Sequence, residues 1–486
     1  MTLTAQHDEA ARRLERIAHA AGENVVTPGH AVGERYLVDW SGDYRGRAFA
    51  LARPRTTEEV ASVVAACAAE GVPITVQGGH TGLVGAASPL GDGDEVIVSL
   101  ERMGRVRAID VVGGSVTVEA GAILAEMKAV VEEAGAFFPL SLGAEGSCHI
   151  GGNIGTNAGG VNVVRYGMMR DLVLGLEVVL PDGSILSDLR GLRKNNTGYD
   201  WKQLFIGAEG TLGIVTAACL KTFPKPTQVE TLWLAAASPA AVMAIYKHLR
   251  KRAGDLLSAF ELLEGDAVAL STHLTDVEDP LGEAEYGAYA LVELSAVGGP
   301  RLRPWLMDEL AAMIDSGLVP DGVVAESLAQ ATAIWRIREA VVEAQSMTGK
   351  HLRTDVSVPI EAIPGFLEEA HELIAERAPG GRSVSYGHVG DGNIHLNVVR
   401  RSEADEAAFL ACLPALEQEI NALVDRHGGS ISAEHGIGIS KRGAFAARMD
   451  GPVLSVARLL KNGLDPAGLF GRDRIFSTQA RTSDET

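Results

Sequence analysis

Glycine is spread unevenly along this chain, and three of its clusters restrict the fold more than any other feature. They lie in PRTTEEVASVVAACAAEGVPITVQGGHTGLVG, Pro54 to Gly85, in PLSLGAEGSCHIGGNIGTNAGGVNVVRYG, Pro139 to Gly167, and in LFIGAEGTLGIVT, Leu204 to Thr216. A residue without a Cβ accepts positive φ and lets backbone amides close on an anion, so loops of this kind can cradle a pyrophosphate. A single cluster would be an ordinary turn. Three, with Asn, Thr and Ser among the glycines, point to a phosphate ligand. No G-x-G-x-x-G opens a helix after a first strand with an acidic residue about 20 positions on, which argues against a Rossmann nicotinamide site.

A different pattern appears near the C-terminal end. In GHVGDGNIHLN the β-type residues Ser383 to Tyr386 and Ile394 to Val399 flank the glycine-rich stretch Gly387 to Gly392, which reads as strand, turn and returning strand. That reading places His388 and His395 about opposite each other, with Cβ atoms roughly 5 Å apart, and puts Asn397 on the face of His395. The nearby SAEHGIG supplies Glu434 and His435. Two imidazoles and one carboxylate make a three-ligand divalent site with an open position, suited to zinc or manganese. The plainer alternative is a hydrogen-bonded histidine pair.

A chain of 486 residues predicts two or three domains. The formal charge of −20 and pI near 5.1 argue against nucleic-acid or anionic-membrane partners and leave an anionic substrate in need of local positive charge. No apolar run is read as reaching the ~18 residues that span a bilayer. The N-terminal stretch lacks the apolar core of a signal peptide and reads as an amphipathic helix. Cys67, Cys148, Cys219 and Cys412 are far apart with no C-x-x-C, as expected of reduced thiols in a cytoplasmic protein.

The expected organisation is an N-terminal helical segment over 1–45, a glycine-cluster domain over 46–224, a second domain over 225–427 and a C-terminal segment over 428–486 that completes the site. Thr56 and Glu59 give a capping-box pattern ahead of the stripe Val60, Val63, Val64 and Cys67, and Gly71 ends that helix. Leu174 to Leu180 and Ser184 to Ser187 read as a hairpin, and Pro224-Lys225-Pro226 as the domain boundary. Strand-like Trp233 to Ala237 and Tyr289 to Ser295, each followed by a helix, predict an antiparallel sheet with helices on one face. A helix from Ala404 to His427 is expected to deliver a short strand carrying Glu434 and His435, and the tail from Thr478 to Thr486 is expected to fray.

Together these motifs resemble FAD enzymes of the vanillyl-alcohol-oxidase type, and within that type the D-2-hydroxyglutarate and D-lactate dehydrogenases. The resemblance runs from about Ala48 to Phe476 and is carried by SLGAEGSCHIGGN, LRKNNTGYDWKQLFIGAEGTLGI and GHVGDGNIHLN. It implies an α+β fold, with FAD held in a domain of two small subdomains and an α+β cap over the flavin ring. The FAD would contact Gln77, Gly78, Gly79, His80, Thr81, Gly82 and Leu83 in the first cluster. In the second it would contact Leu142, Gly143, Ser147, Gly151, Gly152, Asn153, Gly155, Thr156, Asn157 and Gly160, and in the third Glu209, Gly210, Gly213 and Ile214.

The same resemblance implies metal ligation by His388, His395 and Glu434, with His435 as the base. Histidine titrates near neutrality, whereas Lys or Arg would stay protonated. Arg338 matches the arginine that pairs with the substrate carboxylate, and Asn397 would hold the substrate or the ligands behind it. Val342 and Arg353 replace a hydroxyl residue and a lysine that help hold a distal carboxylate in the 2-hydroxyglutarate branch. The sequence FGRDRIF also departs from the family pattern, and His80 raises the question of a covalent flavin. The implied reaction is oxidation of a D-2-hydroxy acid, D-2-hydroxyglutarate being favoured over D-lactate or D-mandelate. Its electron acceptor is open among electron-transfer flavoprotein, quinone, dye and oxygen, and a homodimer is allowed. A non-catalytic flavin-binding subunit is the competing reading.

Overall fold

The computed structural model describes residues 3–402, 406–449 and 451–477. The helix Leu3–Ala21 buries Ile17 and Ala21 beside the helix Thr57–Glu70. The second helix begins as its sequence predicts. Glu59 N donates to Thr56 Oγ1 at 3.2 Å, Val60, Val63, Val64 and Cys67 are buried, and Gly71 closes it at φ +63°.

Strands β1 (Val26–Pro28), β2 (Ala50–Ala52), β3 (Ile74–Gln77) and β4 (Val96–Ser99) form a sheet in the order β1-β2-β4-β3. The N-terminal segment over 1–45 is therefore not only helical, since it contributes β1. A second, antiparallel sheet takes β5 (Val106–Asp110) and β6 (Ser115–Glu119) together with β8 (Val173–Val179), β9 (Ile185–Asp188) and β10 (Ile214–Lys221). The short β7 (Ala136–Phe137) pairs with β11 (Phe223–Pro224). The predicted hairpin is β8 and β9, closed by Leu180 N donating to Ser184 O.

Seven further strands make the third sheet: β12 (Gln228–Ala236), β13 (Leu257–Glu264), β14 (Ala288–Ala296), β15 (Gly322–Val324), β16 (Val356–Ser357), β17 (Gly381–Gly387) and β18 (Asn393–Arg400). Their order is β15-β12-β14-β13-β17-β18-β16, with every pairing antiparallel. Helices cover both faces, not one as expected. Pro239–Ala253, Leu302–Asp315, Ile363–Arg377 and Glu406–Arg426 pack on one side, while Gly265–Leu274 and Leu328–Met347 pack on the other. The reason is in the strands: all eight residues of β13 are buried, so no polar face remains for solvent.

The helix Glu406–Arg426 is long and apolar enough by composition to cross a membrane, contrary to the sequence reading, and it buries Phe409, Leu416, Ile420 and Leu423 in the second core. Its expected start at Ala404 lies outside the described residues, as does the tail Thr478 to Thr486. Beyond it Ser430 makes one bridge to Ser357, and Glu434 and His435 lie in a bend, not in the strand expected. The glycines at 428, 436 and 438 all take positive φ there, which breaks any ladder.

The two largest apolar cores divide the chain. The first runs from Ile17 to Leu220 and takes in Leu469 and Phe470, and the second runs from Leu232 to Val424. The C-terminal segment returns to β3, where Ile74 N donates to Leu469 O at 2.7 Å. Arg474, fully buried, then donates to Glu95 Oε1 at 2.6 Å, to Thr75 Oγ1 at 3.2 Å and to Ser88 O. The departure FGRDRIF thus anchors the chain end beneath the first sheet. Removing Arg474 leaves Glu95 only the longer ion pair with Arg472 Nε at 4.0 Å and should cost about 3–5 kcal/mol, so Arg474→Met is expected to melt well below the wild type. The double variant R474M/E95L should recover much of that loss in thermal unfolding; an unchanged melting temperature for R474M would remove the pair from any anchoring role.

Candidate functional site

The β17–β18 pairing sets the first half of the site. Tyr386 stands opposite His395, so His388 is not in the strand register predicted for it but one step into the turn after Gly387. The turn folds back over β18, and the two imidazoles still meet with ring centroids 5.8 Å apart. Glu434 reaches the same point from the bend after the last cap helix. Ligand atoms of His388, His395 and Glu434 lie within 4.8 Å of one another. His435 stacks against His395 at 6.3 Å between centroids.

Two buried carboxylates, neither singled out in the sequence, organise these groups. Glu261 on β13 accepts from Arg338 Nε at 2.7 Å and pairs with His388 Nδ1. Burial alone would raise its pKa, but His388 and Arg338 outweigh that and hold it at about 2. With Nδ1 turned to Glu261, the other ring nitrogen of His388 is the one available to a metal. Burial also opposes charge on His388, yet Glu261 lifts it to about 9. His395 is driven by burial down to about 3 and is neutral at pH 7, the ligating form. Burial raises the carboxyl of Glu434. A divalent cation between the three groups fits this donor set: it would take the place of the proton on His388, bind His395 in the neutral form it already has and stabilise the Glu434 carboxylate.

Asp355, in the segment RTDVSVP from Arg353 to Pro359, is the second organiser. Its Oδ2 accepts from the backbone N–H groups of Glu434 and His435, each at 2.9 Å, and its Oδ1 accepts from Asn393 Nδ2 at 2.9 Å. His435 Nδ1 is 3.5 Å from Oδ2 and Lys441 Nζ is 4.0 Å away. Burial works against this carboxylate, but His435, Lys441 and His395 hold it well below the usual carboxylate range. Burial pushes the Lys441 ammonium down in turn, and its Nζ donates to Ile431 O at 2.9 Å. Glu261 left one trace in the sequence, a carboxylate inside the apolar run Ala259 to Leu263.

Arg338 projects from the helix Leu328–Met347, with its guanidinium carbon 4.4 Å from the centre of the Tyr386 ring. Its Nε is committed to Glu261, which aims the two terminal nitrogens as a fork. Val342, one turn on, is 43% exposed and offers no donor. Arg353 is exposed and donates through Nε to His351 Nε2 at 3.2 Å. Asn397 is committed to the protein: Oδ1 accepts from Thr354 N, and Nδ2 donates to Gln345 Oε1. Of the two roles expected of it, only the supporting one matches these bonds.

The glycine loops divide by what lies beside each glycine. At Gly82, Gly143, Gly146 and Gly152 a Cβ would meet nothing within 4 Å, and all four are exposed. Gly78 sets the first loop against His149 and Gly152, so bare backbone from two clusters lies side by side. This cradle, bordered by Thr81, Leu83, Leu142 and Ser147, fits a dinucleotide. Each loop also holds one non-glycine residue at positive φ, namely His80 at +55°, Asn157 at +51° and Glu209 at +50°.

Other residues expected at the cofactor also make contacts within the protein. Gly151 N donates to Ala120 O, while a Cβ at Gly160 or Gly213 would strike Ser141 or Val178. Gln77 donates to Tyr36 O and Ala87 O, Asn153 donates to Cys148 Sγ, Asn157 Oδ1 accepts from Arg170 N, and Ile214 is buried in β10. Thr156 caps back to Gly152 O, Gly155 O accepts from Glu209 N, and a Cβ at Gly210 would press on Val76. Both ring nitrogens of His80 are engaged, by Arg35 O and Ser88 Oγ. These residues shape the loops because close packing of three loops consumes their groups.

Comparison with known proteins bears on this geometry. Residues 48–188 match the family model "FAD binding domain" and residues 225–475 match "FAD linked oxidases, C-terminal domain". The chain is 39% identical over 467 residues to D-2-hydroxyglutarate dehydrogenase, mitochondrial, of Bos taurus, covering 95% of this chain and 84% of that one. It is 36% identical to D-2-hydroxyglutarate dehydrogenase of Xanthomonas citri pv. viticola, covering 92% and 93%. A putative mitochondrial D-lactate dehydrogenase of Schizosaccharomyces pombe is 33% identical, covering 90% and 83%. Among solved structures, p-cresol methylhydroxylase with bound substrate superposes with a TM-score of 0.76 at 16% identity, covering 97% and 98%. A 4-ethylphenol oxidase from Gulosibacter chungangensis gives 0.72 at 18%, covering 98% of each chain. These last two share the fold.

The shared carboxylate of Glu261 yields a direct test. Glu261→Gln frees His388 Nδ1 and unseats the Arg338 fork, so zinc affinity is expected to fall about 10- to 100-fold while the flavin absorbance persists. Chelator competition on the purified holoenzyme measures this, and wild-type affinity would show that Glu261 does not orient the imidazole.

Proposed function

The chain belongs to the FAD-linked oxidases, and from that premise we propose that it oxidises a D-2-hydroxy acid to the 2-oxo acid, with D-2-hydroxyglutarate preferred. The observation that carries this reading is the meeting of His388, His395, Glu434 and His435 beside the Arg338 fork. Relatives bearing the D-2-hydroxyglutarate dehydrogenase name over nine-tenths of this chain support the substrate class.

Bound FAD supplies the acceptor for the hydride that leaves the carbinol carbon. A divalent ion on His388, His395 and Glu434, zinc or manganese, would supply Lewis-acid lowering of the hydroxyl pKa. The remaining work belongs to side chains. Arg338 grips the substrate carboxylate with its two terminal nitrogens, since Nε is held by Glu261. His435 takes the hydroxyl proton at Nε2, because Nδ1 faces Asp355. The Asp355 carboxylate then stabilises the imidazolium, and two electrons and one hydrogen depart together as hydride while the proton stays on the protein. A non-catalytic subunit would not need this arrangement intact.

A second reading, a smaller or aromatic acid such as D-lactate or D-mandelate, draws on Val342. That side chain cannot pair with a distal carboxylate, and a second buried carboxylate without partners would be rejected at a cost of several kcal/mol. Arg353 is the group that would accommodate it.

His435→Ala is expected to lose roughly 10²- to 10⁴-fold in turnover with zinc content retained, the range for removing a general base. Unchanged turnover, read with an artificial dye acceptor, would place the base elsewhere. Specificity constants for D-2-hydroxyglutarate, D-lactate and D-mandelate decide the substrate. If D-2-hydroxyglutarate wins, Arg353→Ala should raise its KM far more than that of D-lactate; preference for a monocarboxylate in the wild type would overturn the dicarboxylate assignment.

A further inference from the structure

The backbone that carries Glu434 and His435 is held from both sides. Asp355, in the second domain, accepts from Glu434 N and His435 N at 2.9 Å each. Three residues later the partner changes. Glu209, in the third glycine cluster, accepts from Ile437 N at 2.7 Å through Oε1 and from Gly438 N at 2.8 Å through Oε2. Gly436 lies between, at φ +81°, and a Cβ there would fall 2.9 Å from the Glu209 carboxyl carbon. The turn can pass from one carboxylate to the other only because that residue is glycine.

Further contacts fix the same stretch. Ile439 N donates to Val84 O at 2.8 Å, in the first glycine loop, and Ile475 N donates to Gly438 O at 3.0 Å. Ser432 Oγ donates to Gly436 O at 2.7 Å. Glu209 is itself fixed by its own N–H, which donates to Gly155 O of the second cluster at 2.8 Å, and it sits at φ +50°. A non-glycine residue held in that conformation, with a buried carboxyl spent on two amides, is over-determined by its surroundings. Glu209 was expected to touch the cofactor; its carboxylate instead reaches the turn behind the metal-ligand cluster.

We infer that Glu209 is a positioning residue for the metal and base: with Asp355 it forms a two-carboxylate clasp, one from each domain, that sets where Glu434 and His435 stand. The inference rests on the metal-assisted reading above, and it adds a link from the flavin loops to the hydroxy-acid site. The Glu209 carboxylate bonds to backbone amides and not to His388, His395 or the Glu434 carboxylate. It acts through the amides of Ile437 and Gly438, and a residue supporting a metal ligand from behind is worth about 10- to 100-fold in metal affinity or activity.

The test compares wild-type holoenzyme with Glu209→Ala, Glu209→Gln and Gly436→Ala. The Gly436 variant displaces the turn without altering Glu209, so the clasp is opened from either end. Three quantities are read: flavin absorbance, affinity for Zn2+ by chelator competition, and amide hydrogen exchange over residues 434–438. E209A and G436A should keep their flavin, bind Zn2+ about 10- to 100-fold more weakly and exchange those amides faster, with E209Q, which retains one acceptor, in between. Unchanged exchange in both E209A and G436A would overturn the clasp. Flavin loss in E209A with Zn2+ affinity intact would overturn it too, by making Glu209 a support of the cofactor loop alone. A wild type that binds no Zn2+ would refute the metal reading, while the exchange data would still decide the clasp.

Discussion

A carboxylate sealed from water costs several kcal/mol unless cations and hydrogen bonds surround it. Glu261 meets that condition by standing between Arg338 and His388. Three elements distant in sequence, β13, the helix Leu328–Met347 and the β17–β18 turn, can therefore be assembled in only one way without stranding a charge. Asp355 repeats the device for the bend at Glu434 and His435. The site's geometry follows from satisfying these two groups, and the side chains that meet substrate inherit their directions from them. Part of any stability the pairs lend is consumed by burying them; their clearer product is a unique arrangement.

The two histidines were legible because a hairpin motif makes its own neighbours: whatever the fold, His388 and His395 had to be close. Their exact register was not, since it depends on how many residues the turn consumes, and the turn took His388. The capped helix Thr57–Glu70 and the β8–β9 hairpin were legible for the same local reason. Glu261 and Asp355 were not. Their roles exist only through the strand order β14-β13-β17-β18-β16, which no local pattern encodes. The glycines show the same limit: composition marks the loops, but whether a missing Cβ leaves open space, as at Gly143, or admits a neighbouring backbone, as at Gly160, is decided by packing. The second layer of helices on the third sheet went unread, although a strand as apolar as Leu257–Glu264 has no face suited to water.

A protein with a formal charge of −20 that acts on an anion needs a local reversal of its own field. The cations near the site are few and mostly matched: Arg338 by Glu261 and Lys441 by Asp355. Glu434 adds a further negative group. The side chains alone thus come close to neutrality around the reacting carbon, and a divalent cation among His388, His395 and Glu434 would tip that balance toward the substrate carboxylate. Arg353, exposed at the edge, sits where it can favour approach of an acid without being neutralised by a buried partner.

The path of the chain through its two cores has a consequence for how the molecule is made. Leu469 and Phe470 complete a core otherwise built from residues up to Leu220, and Arg474 locks beneath the first sheet. The whole second domain is thus threaded as an insert between the body of the first and its final piece. During synthesis the second domain emerges while the first still lacks Leu469, Phe470 and Arg474, so the bend at Glu434 and His435, which lies between insert and return, is fixed at both ends only when that segment docks. Two chain crossings then join the domains, one near Pro224 and the other along the segment that carries Glu434 and His435.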